Sequence, residues 1–294
     1  MLQLLLGGSG SGKTTLLYQR IRARAEKGEK SILLVPEQFT SSTEGRIYRE
    51  LGDALSGMVE SFSFTSLAEK ILSTEGGAAV QTLSDAGRAV LVRRALEELQ
   101  DNVHYYHRHR RSAAFCQMAA QTIDELKSAG LSGRQLAQLA GACGAESGKL
   151  SELALIFQGY ETLLARSGMD PSDRLELAGA RLEEALARHS LPEFLRDRAV
   201  FIDEFDTFNA PKKRLLGAML AALPSVTVAL CDDGTPLVPG DLSLFSGAKQ
   251  VAAQLRQLAR KNGAEVAVPQ LLRKDLRHRN APGLAAVAEL LETG

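Results

Sequence analysis

Residues Gly7 to Thr15 read GGSGSGKTT and follow directly on the short apolar run Leu2–Leu6. The spacing is G-x-x-x-x-G-K-T, with Gly7, Gly12, Lys13 and Thr14 in the fixed places, and a buried strand leading into it is the context this motif requires. A loop of Gly7, Gly8, Ser9, Gly10, Ser11 and Gly12 can curl until successive N–H groups point inward around a phosphate. A helix starting near Lys13 adds the positive end of its dipole to the same spot. Lys13 then reaches the β- and γ-phosphates, the Thr14 hydroxyl can ligate Mg²⁺, and Thr15 completes the binding run. A plain Gly/Ser turn has no use for the Lys-Thr pair. The loop predicts a bound magnesium nucleotide without saying which, and a strand-loop-helix opening to the fold.

The rest of the chain extends that opening. A helical stretch follows the loop from Thr15 to Glu26, Gly28 closes it, and Ser31–Val35 reads as a second buried strand. Helical spacing from about Thr43 to Leu55 leads to a third strand at Met58–Phe62. From about Ala79 the texture is helical throughout, over Ala86–Leu99, Ala113–Ala129, Arg134–Leu139, Leu150–Ala165 and Leu175–Leu186. Strands return at Arg198–Ile202, Val226–Leu230 and Glu265–Val268, with helices at Lys212–Leu223 and Ala248–Lys261 between them. The pattern predicts an α/β fold, a P-loop NTPase (RecA-like) parallel sheet with a large all-helical insertion. The expected domains are 1–76 plus 197–294 for the sheet (1A) and 77–196 for the insertion (1B); surface insertions of this kind cost little loop entropy. Asn280–Pro282 starts a last helix that runs to Leu291, and the chain stops shortly after it, which reads as a cut rather than a natural end.

The strand Ala199–Ile202 runs straight into Asp203-Glu204-Phe205-Asp206. An acid at the carboxyl end of an apolar strand in a P-loop fold lies beside the phosphates. There Asp203 can join the Mg²⁺ shell and Glu204 can orient and deprotonate an attacking water. The long separation of Lys13 from Asp203 fits a motor domain with an insertion better than a compact nucleotide kinase. A second run, Leu131-Ser-Gly-Arg-Gln135, looks like the signature of transporter ATPases, but S-x-x-Q at Ser132 and Gln135 also makes a capping box for the helix that follows. The capping reading is the better one.

Charge and cysteine content narrow the class. Lys plus Arg and Asp plus Glu are both 35, so any DNA contact must come from local placement rather than a global basic field. The three cysteines, Cys116, Cys143 and Cys231, lack C-x-x-C spacing, which suits a reducing compartment and argues against zinc or an iron-sulfur cluster in this chain. The N-terminal apolar run is too short for a signal sequence, and no stretch approaches the length of a membrane span. The expectation is a cytoplasmic protein with no membrane partner.

With GGSGSGKTT, LLVPEQFT (33–40), VESFSFTSLAEKIL (59–72) and VFIDEFDTF (200–208) in hand, the order resembles superfamily 1 helicases of the UvrD type. LVPEQF after the second strand, Ser-Phe-Ser after the third, Asp-Pro-Ser-Asp at 170–173 and Leu-Phe-Ser-Gly at 244–247 resemble something narrower. That is the N-terminal part of AddB, the B component of the bacterial AddAB (RexAB) helicase-nuclease. The resemblance implies an ATP-binding, helicase-like portion of a double-strand-break repair enzyme. It implies an AddA-like motor and nuclease subunit as partner, and DNA, as single strand and duplex end, as substrate. The second motor half and the nuclease of that family would lie beyond these residues.

Two loops at the carboxyl edge of the sheet are candidate strand contacts. Pro36–Ser42 offers Gln38, Phe39 and Thr40; Ser61–Ser66 offers Ser61, Phe62 and Ser63, with Phe39, Phe62 and Phe64 as stacking faces or, alternatively, core. His104-Tyr-Tyr-His-Arg-His-Arg-Arg111 is the basic-aromatic cluster, either a nucleic-acid or partner contact or a solvated loop. Departures from the resembled motors bear on activity. Only Met1–Leu6 precede Gly7, leaving no room for an adenine-reading Gln motif, and Cys231-Asp232-Asp233 stands where those motors carry a γ-phosphate-sensing Gln. The expectation is ATP binding with negligible hydrolysis. The alternatives are a fragment of an active superfamily 1 motor, favoured by Glu204, and a P-loop kinase whose helical block is a lid.

Overall fold

The computed structural model describes every residue except 78, 80, 145, 146, 275, 278 and 294, and of 285, 288, 289 and 291–293 it describes the backbone alone. The chain divides into two compact units. Unit 1 comprises Met1–Glu75, Gly179–Phe208 and Lys213–Gly294, and unit 2 comprises Gly76–Ala178 and Asn209–Lys212.

The strands are β1 (Leu2–Gly7), β2 (Ser31–Leu34), β3 (Val59–Phe62), β4 (Ala199–Ile202), β5 (Ser225–Cys231) and β6 (Gln270–Leu272). In chain order the helices begin with α1 (Lys13–Ala25), α2 (Thr40–Leu51), α3 (Asp53–Ser56) and α4 (Phe64–Glu75). Then come α5 (Asp85–Glu98), α6 (Ala113–Ser128), α7 (Gly133–Ala140), α8 (Ser147–Ser167) and α9 (Pro171–Ala187), and finally α10 (Ala210–Ala222), α11 (Ser246–Lys261) and α12 (Pro282–Thr293).

Unit 1 is an α/β unit whose six strands form one parallel sheet in the order β3-β2-β4-β5-β1-β6. The central strands are continuous apolar runs because a parallel sheet is covered on both faces. Every residue of SILL and AVFI is buried. On one face Leu5, Leu33 and Phe201 pack with Leu17, Ile21 and Ile47 of α1 and α2. Leu215, Leu216 and Met219 of α10 are likewise fully buried. The register sets β1 against β5 from Leu2↔Val226 to Gly7↔Cys231, and β2 against β4 from Ser31↔Ala199 to Leu34↔Ile202.

Unit 2 is helical, with a core of Val92, Leu96, Ile123, Phe157, Tyr160 and Leu164 drawn from α5, α6 and α8. A buried polar knot completes it. Asp170, 1% exposed, accepts from the Tyr160 hydroxyl at 2.6 Å and from Lys127 Nζ at 2.9 Å, while Lys127 also donates to Asp173 at 2.7 Å. Ser132 caps α7 in a reciprocal capping box with Gln135, so the Leu-Ser-Gly-Arg-Gln run is a helix start.

Three local expectations need correction. The stretch Thr43–Leu55 is two helices, α2 and α3, parted at Gly52, whose φ of 76° ends the first of them. The strand expected at Glu265–Val268 reduces to a single bridge, Leu2↔Val266, and true pairing to β1 starts at Gln270. Pro269 between them has no N–H to give to the ladder. Finally, Ser61–Ser66 is hardly a loop, since β3 runs through Phe62 and α4 starts at Phe64.

Candidate functional site

The glycine loop leaves β1 at the carboxyl edge of the sheet and enters α1 at Lys13. Gly12 takes a φ of 89°, a left-handed turn that a side chain would strain, and a Cβ there would meet Leu276 Cδ1 at 2.9 Å. Gly7 is confined by crowding instead: an added Cβ would lie 2.5 Å from Ser11 Oγ and 2.6 Å from the Leu272 carbonyl. Both glycines of the spacing therefore stand where the backbone has no room for anything larger. Lys13 lies back over the loop, its Nζ donating to the carbonyls of Gly7 and Gly8, each at 2.7 Å.

Opposite the loop, across β5, the end of β4 presents Asp203. Asp203 is 6% exposed, its carboxylate takes the Glu204 N–H at 3.1 Å, and Thr14 lines the same cavity. Burial raises its pKa above the ordinary carboxylate value, against the pull of Thr14, the Glu204 N–H, Arg46 and Lys13. Glu204 is exposed and sits at a φ of 64°, which costs a non-glycine residue about 1–2 kcal/mol. Its pKa is also raised, by desolvation and then by Asp203, with Arg46, Lys13 and Arg277 opposing.

These groups line one cavity of about 440 Å³. Its walls are Ser9, Gly10 and Gly12–Thr15 of the loop, the strand ends at Asp203–Asp206 and Cys231, and three residues that no motif had marked: Arg46, Leu276 and Arg277. Arg46 projects from α2, its guanidinium 4.9 Å from the Tyr18 ring centre. Leu276 donates its N–H to the Gly10 carbonyl at 3.0 Å, and Arg277 donates to Ser9 Oγ at 3.1 Å, so the segment after β6 folds over the glycine loop. A second cavity of about 220 Å³ shares Thr14, Arg46, Asp203 and Glu204 and extends to Phe39, Ser42 and Thr43.

The remaining candidates separate. Gln38 and Phe39 are exposed in a short 3-10 turn, and Thr40 binds back to the Glu37 carbonyl at 2.6 Å. Ser61 and Phe62 are half-buried in β3, with the Phe62 ring 6.4 Å from that of Phe194. Ser63 is buried, and its hydroxyl takes the Ser66 N–H at 3.1 Å. It is a helix cap, facing inward, rather than a surface contact. Phe64 is core, 2% exposed and edge-on to Phe205 and Phe208.

At the end of β5 the chain is held by its own acids. Asp232 is buried and accepts the Gly234 N–H at 2.7 Å, while Lys249, 5% exposed, pairs with Asp233 at 3.3 Å and Asp241 at 3.1 Å. Among the described residues no group of three or more His, Cys, Asp or Glu side chains could hold a metal ion. No described helix is long and apolar enough to cross a membrane.

Known proteins place this arrangement in a family. A family model for the N-terminal region of AddB matches residues 4–288. The chain belongs to the AddB N-terminal family. Relatives named as the B component of an ATP-dependent helicase/deoxyribonuclease occur in Desulforudis audaxviator, 34% identical over 97% of this chain, and in Moorella thermoacetica, 33% identical over 97%. Another, from Symbiobacterium thermophilum, is 31% identical over 99%. This AddB-family chain spans about a quarter of the length of these relatives. The resemblance that the motifs carried in the sequence is thus a membership. Within it, the AddB-type features LVPEQF and Asp-Pro-Ser-Asp have distinct positions: the first leads from β2 into α2, and the second supplies the buried Asp170 and Asp173 of unit 2.

Proposed function

We propose that this chain is the nucleotide-binding, motor-derived part of a DNA-repair helicase-nuclease subunit, taking ATP with Mg²⁺ at the glycine loop. The observation that carries the reading is a cavity of about 440 Å³ that Lys13 shares with Thr14 and Asp203, which bring a hydroxyl and a carboxylate oxygen. Those two oxygens are hard donors adjacent to the phosphate cradle. Mg²⁺ commonly binds through one or two such side chains plus substrate phosphates and water, so a cluster of three acids is not needed. When bound, the ion would neutralise phosphate charge between Thr14 and Asp203. The interposition of β5 between the loop strand and the acid strand supports a RecA-like P-loop sheet, with the ligand at the carboxyl ends of the strands.

Lys13 must leave the Gly7 and Gly8 carbonyls to reach a β- or γ-phosphate, and Arg46 and Arg277 add positive charge to the same cavity. Glu204 lines the same cavity and is the candidate base, its pKa raised by desolvation and by Asp203. Cys231, not an amide, meets the cavity from β5, which supports tight binding with negligible hydrolysis by this chain alone. The relatives' name implies a partner subunit and DNA; we read the partner as AddA-like and the exposed turn at Gln38, Phe39 and Thr40 as a single-strand contact. Titration with a fluorescent ATP analogue in Mg²⁺ should give saturable binding that Lys13→Ala weakens at least about a hundredfold, the scale of losing a charged phosphate contact. Equal affinity for the two proteins would sink the reading.

Glu204 favours a second reading, an active superfamily 1 motor. DNA-stimulated ATP turnover of several per second by the chain alone, abolished in Glu204→Gln, would replace the first reading with that one.

A further inference from the structure

Unit 2 carries a loop whose order exceeds what a solvated connection needs. Between Asp101 and Asp124 the chain contains no acidic residue, and within that stretch lies His104-Tyr-Tyr-His-Arg-His-Arg-Arg111. The segment is fixed at its base. Val103 is buried, and the Glu152 carboxylate from α8 takes the N–H groups of His104, Tyr105 and Tyr106, at 2.9, 2.8 and 3.2 Å. Glu152 is thereby used up in holding the backbone. Burial works to raise its pKa, yet the three N–H donors outweigh that and keep it below the ordinary value.

Aromatic contacts set the other side. Tyr106 and His109 both lie against Phe115, at 5.4 and 5.6 Å between ring centres, and a 3-10 turn at His107–His109 leads into Ser112, the cap of α6. Arg110 is tied to the His107 ring. What this scaffold leaves outward is specific. Tyr105 is 56% exposed with Lys149 Nζ 5.2 Å from its ring centre, and Arg108 and Arg111 are exposed without an ion pair among the described residues. Cations on a preformed loop that also carries an exposed ring, in a stretch of chain without an acidic residue of its own, are a match for a polyanion carrying flat groups.

We propose that the loop Val103–Ser112 is a docking surface for the phosphate backbone of DNA, with Arg108 and Arg111 as the phosphate contacts and Tyr105 as the face against which a base can lie. It belongs to unit 2, whereas the turn at Gln38–Thr40 belongs to unit 1, and it does not depend on the nucleotide reading.

The test is fluorescence anisotropy of the full chain with labelled single-stranded and duplex oligonucleotides at several salt concentrations. Wild type should bind with a marked salt slope. R108E/R111E should weaken binding about tenfold or more and reduce the slope by about 1.4–1.8, the share of two phosphate contacts. Tyr105→Ala should weaken the single strand and spare the duplex. All three substitutions are on exposed side chains, and circular dichroism and thermal melting will verify that the variants fold. Lys13→Ala should bind DNA like wild type, which separates this surface from the nucleotide site. Absence of DNA binding by wild type, or unchanged affinity and slope in R108E/R111E, overturns the proposal, the latter leaving the loop to a protein partner.

Discussion

Asp203 brings together the cost and the use of the site. Its pKa is raised in the fold, chiefly by burial, so the folded chain favours the protonated acid more than the unfolded chain does. Stability therefore falls as pH rises from the ordinary carboxylate value through the folded pKa, and the full penalty applies above it. The penalty disappears as pH falls below the ordinary carboxylate value near 4. Asp203→Asn removes the charge but retains an oxygen for the Glu204 N–H. It should melt higher than wild type at pH 8, with the difference shrinking towards pH 4, while losing Mg²⁺-dependent nucleotide affinity. Thermal melting across that range checks the first part and titration with and without chelator the second; a variant that melts lower than wild type at pH 8 refutes the account. Lys13, Thr14 and Asp203 could be read from the sequence because a backbone motif and a strand end announce them. Arg46 and Arg277 could not. They reach the cavity from α2 and from the segment after β6, and neither position has a local pattern of its own.

Among elements, the helices of unit 2 depend on a polar centre more than their apolar spacing suggests. Lys127 of α6, Tyr160 of α8 and Asp173 of α9 meet around Asp170, which lies just before α9. Lys127 has a raised pKa: burial works to lower it, but Asp173 and Asp170 more than offset that. Asp170→Ala strands part of a buried ion cluster and should cost about 3–5 kcal/mol. Chemical denaturation should register that loss, whereas Tyr160→Phe, which keeps the ring, should cost only about 1–2 kcal/mol. Helical periodicity located these helices, although α7, α8 and α9 extend past the amphipathic middle at both ends. It could not locate the break at Gly52 or the start of α4, because Ser-Phe-Ser-Phe alternates like a strand while Ser63 is already capping a helix. Pro269 offered a signal that the last strand begins after it, and that signal outweighs the apolar run before it.

For the molecule, the sheet is assembled from two distant stretches of chain. Unit 1 takes β1–β3 from before the helical unit and β4–β6 from after it. The pair Glu75–Arg188, 2.9 Å apart, brings the two stretches together within unit 1. Replacing residues 76–178 by a Gly/Ser linker of about ten residues should therefore leave a folded sheet with its nucleotide affinity intact, since flexible closure of that length costs little. Circular dichroism and nucleotide titration will check it; loss of the folded sheet would mean that the helical unit is needed to hold the sheet together. The parallel α/β sheet itself was legible, because apolar strand runs stand on both sides of a long helical run. The order of the strands was not, since nothing in a four-residue apolar run says which neighbour it will have.

Strand order also has a consequence during synthesis. Both neighbours of β1, β5 and β6, are encoded after the helical unit, and only β2 and β3 can pair early. At a ribosomal pace of about 5–20 residues per second, the strand that carries the glycine loop waits roughly 10–40 s for its first partner to be made. Over that interval Leu4, Leu5 and Leu6 have no sheet to enter, while the helices of unit 2 can already close on one another. The nascent chain thus has its glycine loop made before the helical unit, yet that loop is among the last parts of the sheet to acquire a fixed shape.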